Sequence, residues 1–142
     1  MQFSTFDHYY TTDPKDMKHA GYRFEGIVGY LYPEKFGNTI ALHHWYSDRD
    51  CDNFYTIDSP NEWSGDSVYD YRGVVGYIYQ SPANGTVPLL RWWAGGNTAD
   101  HFYCTDPKGE LAPGTYLFEG ITGYIFPNPV EGTTPLFRWL HP

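Results

Sequence analysis

The chain has 142 residues, a formal charge of −8 and a pI near 5.0, enough for one domain around one core. Its nine Lys and Arg are scattered rather than gathered in a stripe, so the acidic balance argues against nucleic acid as a partner. No apolar run approaches the roughly 18–20 residues of a membrane span, and Met1 to His8 lacks the basic start and apolar stretch of a secretory signal; no membrane insertion is expected, and the location is expected to be cytoplasmic, or outside the cell by release without a signal peptide.

In chain order, the first predicted element is Asp7-His8-Tyr9-Tyr10-Thr11-Thr12-Asp13-Pro14. It recurs as Asp52-Asn53-Phe54-Tyr55-Thr56-Ile57-Asp58-Ser59 and as Asp100-His101-Phe102-Tyr103-Cys104-Thr105-Asp106-Pro107. Aromatic and β-branched residues bounded by Asp and Pro read as a short strand. Asp13-Pro14, Ser59-Pro60 and Asp106-Pro107 then place a capping residue before Pro, predicting one short, irregular helical turn. Glu62 completes a capping box in the second copy, while Gly109 and Pro113 weaken the third.

A longer stretch follows, with aromatics at alternate positions such as Tyr22 and Phe24, then Tyr30 and Tyr32. Its copies place Gly26, Gly73 and Gly120 at equal offsets of 47 residues, each followed three positions later by a second glycine, Gly29, Gly76 or Gly123. The glycine pair is read as a bulge or a barrel corner rather than as a place where a ligand meets bare backbone. Turn-rich loops come next, Glu34 to Thr39, Ser81 to Pro88 and Pro127 to Pro135. The last element is Leu42-His43-His44-Trp45-Tyr46, repeated as Leu89-Leu90-Arg91-Trp92-Trp93 and Leu136-Phe137-Arg138-Trp139-Leu140.

A fixed period of this length marks repeat architecture. The expectation is an all-β single domain of three repeats, about 1–46, 47–93 and 94–142, forming a pseudo-threefold barrel. If the glycine pair splits the long stretch there are four strands per repeat and 12 in all, the count of a β-trefoil; three per repeat give a smaller threefold barrel or a three-bladed propeller-like array. Because the chain opens on the Asp-aromatic element and closes on the Leu-x-x-Trp element, threefold closure predicts that the two ends pair. Cys51 and Cys104 fall at different phases of the repeat, which excludes a repeating disulfide framework and points to reduced thiols.

The combination Arg91-Trp92-Trp93, Asp100-His101-Phe102-Tyr103 and Phe118-Glu119-Gly120-Ile121-Thr122-Gly123-Tyr124 resembles a repeat family of unknown function, and the likeness spans nearly the whole chain. Three copies make that family's usual module, appended to bacterial secreted cell-wall enzymes or free-standing in fungi. The resemblance implies the architecture and a carbohydrate-binding role. The second copy departs from the pattern, with Asn53 in place of His8 and His101, and Arg72 in place of Glu25 and Glu119; in the first copy His44 replaces Arg91 and Arg138. Three unequal sites are therefore expected.

No nucleophile-base pair and no asymmetric carboxylate pair appears, so no catalytic activity and no cofactor are expected. Asp48-Arg49-Asp50-Cys51-Asp52 alternates acids but lacks the Gly and Glu of a calcium loop, with Asn53 and Ser59 in their places; no metal is expected. Sugar binding suits the residue set, since a pyranose offers an apolar face to aromatic rings and hydroxyls to paired donors and acceptors. The candidate sites are Asp7, His8, Glu25 and Trp45; Asp52, Asn53, Arg72 and Trp92; and Asp100, His101, Glu119 and Trp139, with glycans or glycoproteins as partners. The tryptophans can equally belong to the core, and each Asp-His pair can serve to pin a strand. The alternative function is a protein-binding module, such as a protease inhibitor, acting through one copy-specific loop.

Overall fold

A computed structural model of the chain describes residues 7–15, 22–60, 68–94, 100–107 and 116–141. Among the described residues the elements are nine strands: β1 (Asp7–Thr11), β2 (Arg23–Leu31), β3 (Ile40–Ser47), β4 (Asp52–Thr56), β5 (Asp70–Ile78), β6 (Val87–Ala94), β7 (Asp100–Cys104), β8 (Leu117–Ile125) and β9 (Thr134–His141). They form three antiparallel three-stranded sheets, ordered β1-β9-β2, β4-β3-β5 and β7-β6-β8. The 12-strand expectation is not met: each glycine-bearing stretch runs through as one bulged strand. Nor do the strands close into one barrel among the described residues, because backbone pairing between the sheets is limited to isolated bridges. The predicted helical turns fall largely on residues 16–21, 61–67 and 108–115, outside the described residues; at their entry the Lys15 amide donates to Asp13 Oδ1 at 2.9 Å, as a capping residue requires.

In every sheet the Leu-x-x-Trp element is the central strand. The chain ends pair as expected, with Asp7 opposite His141, Tyr9 opposite Trp139 and Thr11 opposite Phe137. Strand alternation sorts the side chains of β9: Leu136, Arg138 and Leu140 are buried while Phe137 and Trp139 stay partly exposed on the other face.

Each sheet sends one tyrosine and two aliphatics into a shared core: Tyr10, Leu31 and Leu136; Tyr55, Leu42 and Ile78; Tyr103, Leu89 and Ile125. The tyrosines lock the sheets head to tail. Tyr55 Oη accepts from the Tyr10 amide at 2.8 Å, Tyr103 Oη from the Tyr55 amide at 2.7 Å and Tyr10 Oη from the Tyr103 amide at 2.8 Å, and each hydroxyl donates to a carbonyl of the same trio. The ring ties up backbone groups that face across a sheet boundary and would otherwise be orphaned. Below it, Tyr30 with Phe126, Tyr32 with Tyr77 and Tyr79 with Tyr124 make reciprocal backbone bonds, and Tyr32, Tyr79 and Phe126 meet edge to face.

The two glycines of each pair do different work. Gly26, Gly73 and Gly120 adopt φ of +124°, +121° and +136° at the bulge, a conformation closed to other residues. At Gly29, Gly76 and Gly123 a Cβ would run into the side chains of Ile125, Leu31 and Ile78 from the neighbouring sheet. The bulge reading holds for both glycines, each of which follows a register shift, and the second is in addition closely approached by a core side chain of the protein itself.

Candidate functional site

Above the tyrosine ring, the first residues of β1, β4 and β7 bring Asp7, Asp52 and Asp100 together, with one oxygen of each within 4.8 Å of the others, all buried. The residue after each Asp does not bond its own neighbour but the Asp of another repeat. His8 donates its amide to Asp100 Oδ1 (3.0 Å) and pairs Nδ1 with Oδ2 (2.5 Å); His101 does the same with Asp52 (2.8 and 2.6 Å); Asn53 Nδ2 donates to both oxygens of Asp7 (3.0 and 2.9 Å). Tyr22, Tyr69 and Tyr116 each donate a hydroxyl to the Asp of their own repeat, at 2.9, 2.6 and 2.6 Å. Among the described residues this trio is the one grouping with metal-ligand potential, and its oxygens are already committed to these donors.

From the carboxylates, three chains run outward, and two are alike. His8 Nε2 lies 3.4 Å from Glu25 Oε1, which accepts from Arg138 Nε at 2.9 Å; His101 Nε2 lies 3.3 Å from Glu119 Oε1, which accepts from Arg91 Nε at 2.8 Å. Each guanidinium covers a ring of the adjoining sheet, Arg138 over Phe102 at 4.7 Å and Arg91 over Phe54 at 4.9 Å. Burial works against a charged His8, but its hydrogen bonds to Asp100 and Glu25 and the charges of both carry the imidazole up to about 9; His101 is raised the same way by Asp52 and Glu119. Burial likewise opposes ionisation of Glu25 and Glu119, yet the facing histidine and arginine bring both below the usual carboxylate range. Acidic and basic groups thus alternate along each chain, carboxyl, imidazole, carboxyl, guanidinium.

The third chain is different in kind. Asn53, having given its amide hydrogens to Asp7, accepts at Oδ1 from His44 Nε2 (2.7 Å), and the His44 ring lies flat on Tyr55, with centroids 4.6 Å apart. Among the described residues no imidazole hydrogen-bonds Asp7, and burial together with the Asp100 charge pushes its carboxyl up to about 7, against the hydrogen bonds from Tyr22 and Asn53. Arg72 stands exposed beyond this chain, over the Tyr46 ring at 5.3 Å, and among the described residues it makes no ion pair.

The sequence-predicted site residues therefore divide. Asp7, His8, Asp52, Asn53, Asp100 and His101 form the buried hub; Glu25 and Glu119 are partly exposed at the ends of two chains, and Arg72 is apart from it. Trp45, Trp92 and Trp139 lie on the opposite face of their sheets. There each supports a more exposed ring, Trp139 with Phe24 at 5.2 Å, Trp45 with Tyr71 at 5.1 Å and Trp92 with Phe118 at 5.2 Å. Phe24, Tyr71 and Phe118 are 51%, 41% and 54% exposed, beside Ile27, Val74 and Ile121. The sequence-derived site left out these rings and the tyrosines on the carboxylates, although Tyr22, Tyr69 and Tyr116, like Phe24, Tyr71 and Phe118, recur at the same spacing of 47; Arg91 and Arg138 entered it only as positions where the first copy has His44.

A hub of three repeats, crossed by hydrogen bonds between them, defines an internally repeated all-β domain. The chain belongs to the family described as a domain of unknown function, DUF5648, whose profile matches residues 1–112 and 69–142 in two overlapping segments. No curated protein and no solved structure matches it.

Proposed function

We propose that this protein is a lectin that binds glycans at up to three related sites on the outer faces of its sheets, without catalytic activity. The observation that carries the reading is the exposed ring of each sheet, Phe24, Tyr71 or Phe118, braced by a tryptophan at 5.1 to 5.2 Å. A braced ring offers a flat face to the C–H side of a pyranose at little cost in ordering. Next along β2 and β8, Glu25 and Glu119 turn the other way, into the clefts toward His and Arg, and so belong to the hub rather than to the ring face. The buried hub of Asp and His holds these groups in place from inside. Several shallow sites on one rigid body gain avidity on a glycoprotein surface that no single site provides. With this reading goes a trefoil-like arrangement in which a rotation of roughly 120° carries each sheet onto the next, the angle for three closing repeats.

Glycan-array binding and agglutination by the wild type test the reading. Replacing Phe24, Tyr71 and Phe118 by Ala one at a time should weaken agglutination, and the triple variant should abolish it while keeping its melting temperature. Absence of any glycan binding by the wild type, or undiminished binding by the folded triple variant, overturns the proposal.

One feature favours the protein-binding alternative. The three turn-rich loops fold alike, each with a Thr hydroxyl accepting from an amide three residues back, yet the first carries Phe36, 57% exposed and stacked on Tyr32 at 4.6 Å. With Glu131 and Gly132 of the third loop it frames a cavity of about 450 Å³ that equivalent loops would not predict. Pull-down of a protease that is lost on Phe36→Ala, with glycan binding absent, would support that reading over the first.

A further inference from the structure

The clefts between neighbouring sheets are occupied differently in the three copies. Between β7 and the β9–β2 pair, and between β4 and the β6–β8 pair, the space is taken by an ion pair, Glu25 with Arg138 and Glu119 with Arg91, each arginine covering a ring from across the cleft. Between β1 and the β3–β5 pair the equivalent positions are Arg72 and His44. His44 is shorter than Arg and is held against Tyr55, while Arg72 extends over Tyr46. A cavity of about 180 Å³ opens here, lined among others by Tyr9, Thr11, Thr12, His44 and Arg72.

From this we infer that the β1/β3–β5 cleft is a subsite for the carboxylate of an acidic sugar, a uronic or sialic acid, whose anionic group takes the place that Glu25 and Glu119 fill in the other two clefts. The inference rests on the glycan-binding reading. Its logic is charge balance at a site of fixed shape. In the other clefts a guanidinium already has its carboxylate, and a ligand anion there would meet Glu25 or Glu119. In this cleft the carboxylate is missing from the protein, and among the described residues Arg72 has no anionic partner. A guanidinium binds a carboxylate by two parallel hydrogen bonds and has no acceptor to offer a neutral sugar, so it discriminates between the two. The His44 imidazole and the Thr11 and Thr12 side chains line the same cavity. The room suits one carboxylate-bearing ring rather than an extended chain.

The experiment is a heteronuclear NMR titration of the full chain with methyl β-glucuronide and, separately, methyl β-glucoside, repeated on Arg72→Glu and Arg72→Gln. The glucuronide should bind the wild type about tenfold more tightly than the glucoside, the scale of one charge-assisted pair, and should shift the Gly73 and Val74 amides. Both variants should bring its affinity down to that of the glucoside; Arg72 is exposed, so neither change should disturb the fold. Equal affinity of the two glycosides for the wild type, or a preference that survives both substitutions, overturns this inference and leaves glycan binding on the outer faces standing. Binding of neither glycoside overturns this inference, and absence of any binding on the glycan array overturns the lectin reading with it.

Discussion

The chain through His101, Glu119 and Arg91 and the chain through Asn53 and His44 start from equivalent carboxylates and end differently. In the first, every buried charge faces an opposite one, and the guanidinium at the end is consumed internally. In the second, the amide of Asn53 cannot supply the cation, Asp7 is left to hold a proton near neutral pH, and a cation appears instead at the rim as Arg72. The substitutions at 44, 53 and 72 are in effect one change. Asn53 and His44 are bonded to each other, Arg72 lines the same cleft as His44, and a Glu at 72 would find neither the imidazolium nor the guanidinium that its counterparts use. Two clefts are built to hold themselves together; the third has given up an internal ion pair and gained a vacant, positively charged space.

The largest test of that comparison removes a whole chain. Deleting residues 136–142 takes away Arg138 and most of β9, the central strand between β1 and β2, and leaves both neighbours without hydrogen-bond partners. Loss of the cooperative thermal transition is expected; an unchanged melting temperature would mean that the ends do not hold the fold. Next in size is a control in which the copies should not differ. Tyr55→Phe and Tyr103→Phe each strand a buried amide and a buried carbonyl in the tyrosine ring. Each should cost about 3 kcal/mol by urea denaturation, whatever the copy. Unequal costs would place the asymmetry deeper than the chains.

The pH dependence of stability separates the chains themselves. Asp7 has its pKa raised from the ordinary 3.8 to about 7, so its contribution is full below pH 4 and is lost as the pH rises through 7. For His8, raised from 6.5 to about 9, the contribution is full below 6.5 and is lost through 9. Both therefore favour the folded state at mildly acid pH, while the lowered Glu25 and Glu119 withdraw their support only as the pH falls through their own titration. Asp7→Asn should abolish the first window and leave the second, shrinking the fall in melting temperature between pH 4.5 and 7.5 by on the order of 5 °C. The smallest effect is expected from rebuilding the third chain on the pattern of the others. The triple change Asn53→His, His44→Arg and Arg72→Glu should raise the melting temperature by about 2–4 °C, since partly exposed ion pairs contribute only about 1 kcal/mol. It should also erase any preference for an acidic sugar.

The spacing of 47 pointed to a repeating pattern, to three or four strands in each copy, of which three are seen, and to the pairing of β1 with β9, because a repeat must bury its apolar face against its own copies and the period records that demand. The polar residues at the hub were legible as residues but not as a network. Tyr55 reaching the Tyr10 amide and His8 reaching Asp100 are contacts between sheets, and nothing local in the chain says which repeat a side chain will meet. The two faces were hidden for a further reason. Phe24 and Ile27 are three residues apart, an odd spacing that in a regular strand places them on opposite faces, yet both stand exposed. The bulge between Phe24 and Gly26 shifts the alternation by one, and the left-handed Gly26 permits it. Residue order determined the repeat and its strands. Sheet packing and the bulge decided which aromatics face solvent, which carboxylates are spent inside, and which cleft is left open.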